Sequence, residues 1–411
     1  MFRQLIDKPL LGSLSAKSYD IALLTLVTIM YIALCAEADM YVPAFPQMIS
    51  YFGVHENQIQ LILSINFCGL CIASLIAGPL SDSYGRRKVL LVGLLLFVIS
   101  SIGCVYTSNF ILMLIWRLLQ GIAAAVPMVI GAATFFDKYS AEKAGQLVGV
   151  INSVISASMA GAPVVGAWIS MVFNWRANFV VILVLAIVSF VGAFMFIEET
   201  LVVNKRRQFS VLAILKDYTK LSKSFAFLGF TLIVNFPFTA IVVYIANLSV
   251  IFINYLGISL EKFSYYQATT MGTFIIFSLL SIKLIAAKGI DYTKNLGGAL
   301  ALIGSIGIFY ISQVDAKAIN IICLSMAFIA AGGAMMAGTF GLKAISIFPD
   351  MNGTTLAMMT AIRQLLASGL VMLSELFFDG TIVPVATIIF VYAALSAVIY
   401  LVLCLRKADS G

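Results

Sequence analysis

Long apolar runs, broken only by short polar stretches, follow one another through the whole chain. A helix that crosses about 30 Å of hydrocarbon needs about 20 mainly apolar residues and satisfies its own backbone hydrogen bonds. The pattern therefore predicts twelve spans, at about 21–43, 59–79, 89–106, 110–134, 146–170, 178–197, 225–253, 265–287, 296–312, 318–342, 355–377 and 382–404. The first run begins at Ile21 and lacks a small-residue cleavage site, so it is expected to remain as span one. The longest polar stretch, 198–224, leaves six spans on each side, which points to an internal repeat. The expected organisation is an all-α polytopic protein: a six-helix bundle over 1–197, a linker over 198–224 and a second six-helix bundle over 225–411.

Composition agrees: 62% of the 411 residues are hydrophobic and 10% charged, and the mean hydropathy is +1.07. A water-soluble domain of this size carries about 25% charged residues, so the bilayer is the expected solvent. The few charges are unevenly placed. With the N-terminus inside, 20 of the 25 Lys and Arg fall in cytoplasmic segments, including Arg86, Arg87 and Lys88 and the linker's Lys205, Arg206, Arg207, Lys216, Lys220 and Lys223. The outer loops hold only Arg176, Lys262 and Lys317, which predicts cytoplasmic termini. The net charge of +7 is then a topology signal and gives no reason to expect nucleic acid. The six cysteines lie in apolar runs, and His55, the one histidine, falls in the first outer loop, so no metal site is expected. No phosphate-binding Gly-x-x-x-x-Gly-Lys-Ser/Thr loop occurs, nor a soluble segment long enough for an ATPase domain. Movement of a solute would have to draw on an ion gradient, with no cofactor and no enzyme activity expected.

Several motifs carry more specific information. After span two comes Gly78-Pro79-Leu80-Ser81-Asp82-Ser83-Tyr84-Gly85-Arg86-Arg87-Lys88. Here Gly78 and Pro79 are expected to end the helix, Gly85 to permit a tight turn, and Asp82 with the basic cluster to form a charge latch. Span four holds Arg117-Leu118-Leu119-Gln120-Gly121 and span five Ala160-Gly161-Ala162-Pro163-Val164-Val165-Gly166. Span one ends Glu37-Ala38-Asp39-Met40-Tyr41-Val42-Pro43, and Trp175-Arg176 and Glu199-Thr200-Leu201 bracket span six. Together these resemble the major facilitator superfamily and, within it, the bicyclomycin-resistance (Bcr/CflA) branch of the drug:proton antiporters. Ala162 departs from the antiporter pattern, and the second half resembles the family by hydropathy and a degenerate loop at Lys288 to Lys294.

The resemblance implies two six-helix bundles working by alternating access in a bacterial inner membrane, with spans one, four, seven and ten lining a central cavity and the protein acting as a monomer on a small molecule and protons. It implies a gating motif of Gly78, Asp82, Gly85, Arg86 and Arg87, and close helix packing at Gly121, Gly161, Pro163 and Gly166.

A charge at a helix centre costs about 2.5–3.5 kcal/mol on insertion scales, so each one inside a span is a candidate for function. Arg117 matches the family arginine that couples proton and substrate occupancy. Asp39 matches the family acid and is the first choice for proton carrier. Glu37, about 200° away on the helix and nearer the azimuth of Tyr41, stands where the family has a small polar residue. Arg363, about 15 Å into span eleven, also departs from the family, and Glu375 is too far along the helix to pair with it. Arg363 either binds an anionic group of the cargo or pairs with an acid of another span. Asn66, Gln120, Asn235 and Tyr41 are candidate contacts for cargo or bonds between helices. Efflux of a small organic molecule in exchange for protons is the leading expectation. Proton-coupled import or export of an anionic or zwitterionic metabolite or a siderophore is the alternative, and a channel or membrane enzyme is remote.

Overall fold

The computed structural model describes residues 16–139, 141–201, 210–348 and 352–408. Among these residues the regular structure is helical, without strands. The first six long helices are α1 (Ala16–Asp39), α3 (Leu61–Tyr84), α4 (Arg86–Tyr106), α5 (Phe110–Lys138), α6 (Ala141–Val172) and α7 (Trp175–Phe196); a short helix α2 (Phe45–Phe52) follows α1. The connector carries α8 (Val211–Ser222), and its Lys205, Arg206 and Arg207 lie outside the described residues. Six more long helices follow: α9 (Phe225–Ser249), α10 (Leu260–Lys288), α11 (Ile290–Val314), α12 (Ile319–Ser346), α13 (Asn352–Leu376) and α14 (Val383–Ala408). Eleven helices are long and apolar enough to cross a membrane among the described residues, and α6 contributes a shorter apolar stretch, Gly161–Val172. The chain is a multi-pass membrane protein.

Helices start where short polar side chains can satisfy their first free N–H groups. Asn109 accepts from the Leu112 N–H ahead of α5, Ser224 from Phe227 ahead of α9, and Ser259 from Lys262 ahead of α10. Several helices outrun their apolar windows: α11 starts six residues before the expected span nine because its first turn, with Asp291, is polar but still helical. The end of span two is corrected more sharply. Gly78 and Pro79 do not stop the helix; α3 continues to Tyr84 with Pro79 inside it. Proline forfeits one backbone hydrogen bond, which a long packed helix tolerates. The chain turns instead at Gly85, whose φ of 100° suits glycine, and α4 begins at the next residue.

The chain divides into two compact units. One holds the helices up to Phe52 and Ile65–Ile214; the other holds Gly53–Ser64 and the helices from Leu215 onward. In the second unit, Gln60 Nε2 donates to Asn247 Oδ1 at 2.8 Å and Ser368 Oγ to the Ser64 carbonyl at 2.8 Å. Within this unit α9 is the most enclosed span: 88% of its apolar window is buried, against 17% for α10.

Candidate functional site

The principal polar cluster lies inside the first unit, where α1, α3, α4 and α5 each contribute a side chain. Arg117 and Glu37 are both 0% exposed. Arg117 Nη1 donates to Glu37 Oε1 at 2.8 Å, and Nη2 donates to the Glu37 main-chain oxygen at 3.2 Å and to Tyr41 Oη at 2.7 Å. Gln120, one turn after Arg117, accepts from Nη1 and donates to Ser101 Oγ at 2.8 Å. Asn66 Nδ2 donates to Glu37 Oε1 and to the Arg117 carbonyl. Tyr41 lies under the guanidinium, whose carbon is 4.5 Å from the ring centroid, and stacks on Phe179 at 5.1 Å. The pair is thus sealed and hydrogen-bonded on nearly every side, the condition under which a buried ion pair is tolerable.

Helix geometry decides which acid meets Arg117. Glu37 and Tyr41 are four residues apart and present on one side, and both touch it; Asp39, on the other side of α1, does not. Asp39 Oδ1 and Glu37 Oε2 are buried and without a hydrogen-bond partner. The acid at the family's small polar position is therefore the one that pairs with the family's arginine. Close backbone approach makes the network possible. A Cβ on Gly121 would overlap the Asn66 carbonyl, and one on Gly166 would overlap the Met40 carbonyl. Gly161 differs from expectation: a Cβ there would meet nothing within 4 Å. Pro163 lies buried within α6.

The loop motif assembles as charges and carbonyls of the same unit. Arg86 pairs with Asp82 at 2.6 Å and Asp137 at 3.0 Å, while its main-chain N–H donates to Glu199 Oε1 at 2.9 Å. Arg87 is buried and donates to the carbonyls of Ala193, Phe194 and Ile197, closing the C-terminal end of α7. Gly78 is spacious, with Val129 3.7 Å from a Cβ placed there.

In the second unit Asn235 Nδ2 donates to the Met359 carbonyl at 3.2 Å. Arg363 lies with its guanidinium carbon 4.7 Å over the Phe238 ring, its Nε buried and without a hydrogen-bond partner. Hydropathy gave no sign of Phe179, Ser101 or Phe238; only the three-residue spacing of Arg117 and Gln120 hinted at their shared network. Among the described residues no three His, Cys, Asp or Glu side chains gather as metal ligands.

A polytopic helical protein with a sealed acid–arginine pair inside one six-helix half has the make-up of a secondary transporter. The model of the Major Facilitator Superfamily matches residues 27–372, and the chain belongs to that family. A bicyclomycin resistance protein homolog of Haemophilus influenzae is 22% identical over 325 residues, 79% of this chain and 81% of the relative. The multidrug transporter MdfA of Edwardsiella ictaluri is 26% identical over 271 residues, 66% of this chain and 65% of the relative. A bacterial homolog of the human lysosomal transporter Spinster, in an inward-facing and occupied conformation, superposes with a TM-score of 0.73 at 13% identity, covering 94% of this chain and 97% of that one.

Proposed function

We propose that this protein is a proton-coupled antiporter that exports small organic molecules by alternating access, working as a monomer in a bacterial inner membrane with both termini cytoplasmic. The multidrug and bicyclomycin-resistance names of its relatives support the cargo class, and the crowding of basic residues on one side supports the orientation. The observation that carries the coupling is the division of labour between two acids. Glu37 neutralises Arg117 in a sealed network, which leaves Asp39 as an acid two residues away with a buried, unpartnered oxygen. Asp39 is the proton carrier in this reading. Glu37 holds the arginine in place, and Arg117, fixed between Glu37, Tyr41 and Gln120, transmits the charge state of α1 to α5. The Asp82, Arg86 and Arg87 junction latches the cytoplasmic ends of the same half.

The test is transport by purified protein in liposomes under an imposed pH gradient, with a panel of drugs and polar metabolites. Wild type is expected to exchange cargo for protons, and Asp39→Asn to bind cargo while losing gradient-driven accumulation. Full pH-driven transport by Asp39→Asn would overturn the assignment. A second reading, proton-coupled movement of an anionic or zwitterionic metabolite or siderophore in either direction, is favoured by Arg363.

A further inference from the structure

The two intramembrane arginines are in opposite states. Arg117 has a carboxylate, a phenol, an amide and a main-chain oxygen around it. Arg363, about 16 Å from the start of α13 and close to its midpoint, has no ion pair with any described residue. Even Glu375, on the same helix, pairs with nothing among the described residues.

One face of α9 runs alongside α13 and brings Phe238 against Arg363. Thr231, Asn235 and Phe238 recur at helical spacing, and Asn235 bonds the Met359 carbonyl one turn before Arg363, so this face abuts α13 there. Phe238 covers one flat side of the guanidinium. Stacking of this kind returns about 2 kcal/mol when desolvated, which partly offsets the cost of a midspan cation. It engages the flat face only. The N–H groups lie in the guanidinium plane and point outward from its edge, in the fork that matches a carboxylate. Gln364 Oε1, on the next residue of α13, is also buried without a hydrogen-bond partner.

Resting on the transporter reading above, we propose that Arg363, stacked on Phe238, is the cargo's anion-binding site and that the cargo is a small organic carboxylate, anionic or zwitterionic, with an apolar body. The cargo carboxylate supplies the counter-charge that none of the described residues supplies at this position. Arg117, already neutralised by Glu37, makes no claim on that group. A lipophilic cation without a carboxylate would meet an unscreened positive charge here and be disfavoured.

The experiment measures equilibrium binding to purified protein in nanodiscs, without a gradient, using matched pairs: zwitterionic fluoroquinolones, aromatic amino acids and benzoates, each against its methyl ester. Wild type is expected to bind at least one acid about 10-fold or more tighter than its ester. Arg363→Gln should abolish that preference, chiefly by weakening binding of the acid, and Arg363→Lys should keep part of it. Phe238→Leu, which retains the charge and an apolar side chain, should lower the preference severalfold, and decides the matter if Arg363→Gln does not yield folded protein. No acid preference in wild type, no binding of either member of any pair, or a preference that survives Arg363→Gln or Phe238→Leu would overturn the proposal. Preferential acid binding without proton exchange in liposomes would instead sink the antiport reading alone, and proton exchange for a cation without acid preference would sink only this one.

Discussion

Replacing Glu37 by Gln keeps the shape of the side chain and one hydrogen-bond acceptor but removes the charge that pairs with Arg117 in the sealed network. At 2.8 Å, two unit charges in an effective dielectric of about 20 attract by about 6 kcal/mol. The hydrogen bonds of Arg117 to Tyr41, Gln120 and the residue-37 main-chain oxygen survive the substitution, so part of the guanidinium stays satisfied. Removing one partner of a buried pair costs about 3–5 kcal/mol, and the retained acceptor places Glu37→Gln at the lower end, with Glu37→Ala above it. The assay is unfolding by SDS in mixed micelles, followed by tryptophan fluorescence, for Glu37→Gln, Arg117→Gln and the double variant. The double variant should lose clearly less than the sum of the singles, with a coupling of about 2–3 kcal/mol, because it leaves no orphaned charge. A loss below about 1 kcal/mol for Glu37→Gln, or strict additivity, would mean that the pair does not hold the first unit together as argued.

Other positions give simpler outcomes. Gly121→Ala should destabilise by about 1–3 kcal/mol, because the added Cβ meets the Asn66 backbone and forces α3 and α5 apart, whereas Gly161→Ala should be neutral or stabilising by about 0.5–1 kcal/mol; thermal denaturation in detergent separates the two. Arg87→Lys should cost about 2 kcal/mol, since one ammonium cannot reach the three carbonyls at the end of α7 that the guanidinium fork serves, and protection of the α7 end in hydrogen exchange should fall with it.

The fold was legible because a membrane leaves few choices: runs of sufficient length must be helices. What hydropathy missed were polar continuations such as the first turn of α11 and the passage of α3 through Pro79, where helix persists outside the apolar window. The candidate site was half legible. Arg117, Asp39 and Glu37 stood out as charges in apolar runs, and the helical angle between Glu37 and Asp39 already required that one acid alone face a given partner. Which acid it is depends on how α1 is rotated against α5, a property of packing that a single sequence does not encode locally. The aromatic supports, Phe179 and Phe238, were invisible for the same reason: among 30 phenylalanines nothing distinguishes the two that carry a guanidinium. That residues 53–64 pack with the second unit is likewise a tertiary fact without a hydropathic mark.

The two halves repeat one junction with the charges exchanged. After the second helix of each half the chain turns at a glycine of positive φ, Gly85 at 100° and Gly289 at 85°, and the next helix starts at once. In the first half a base, Arg86, bridges acids at the turn and at the end of the fourth helix, Asp82 and Asp137. In the second an acid, Asp291, bridges a base one turn further into the third helix, Lys294 at 2.8 Å, and one near the end of the fourth, Lys343 at 3.2 Å. The glycine turn and the link to the fourth helix are shared but the energetics are not, because the Arg86 side chain is 12% exposed and the Asp291 side chain 78%. Water and salt screen the second junction, so Asp291→Asn should change stability by less than about 1 kcal/mol and not at all in high salt. Arg86→Gln, which leaves two half-buried acids without their cation, should cost about 1–2 kcal/mol and respond far less to salt. Alanine at either glycine should cost a similar 1–2 kcal/mol in both halves, since the positive φ is common to them. Thermal denaturation of the four single variants at low and high salt measures all of this at once. Equal losses for Arg86→Gln and Asp291→Asn would show that burial does not set the strength of the latch, and unequal losses for the two glycines would show that the junctions are not the same structural unit.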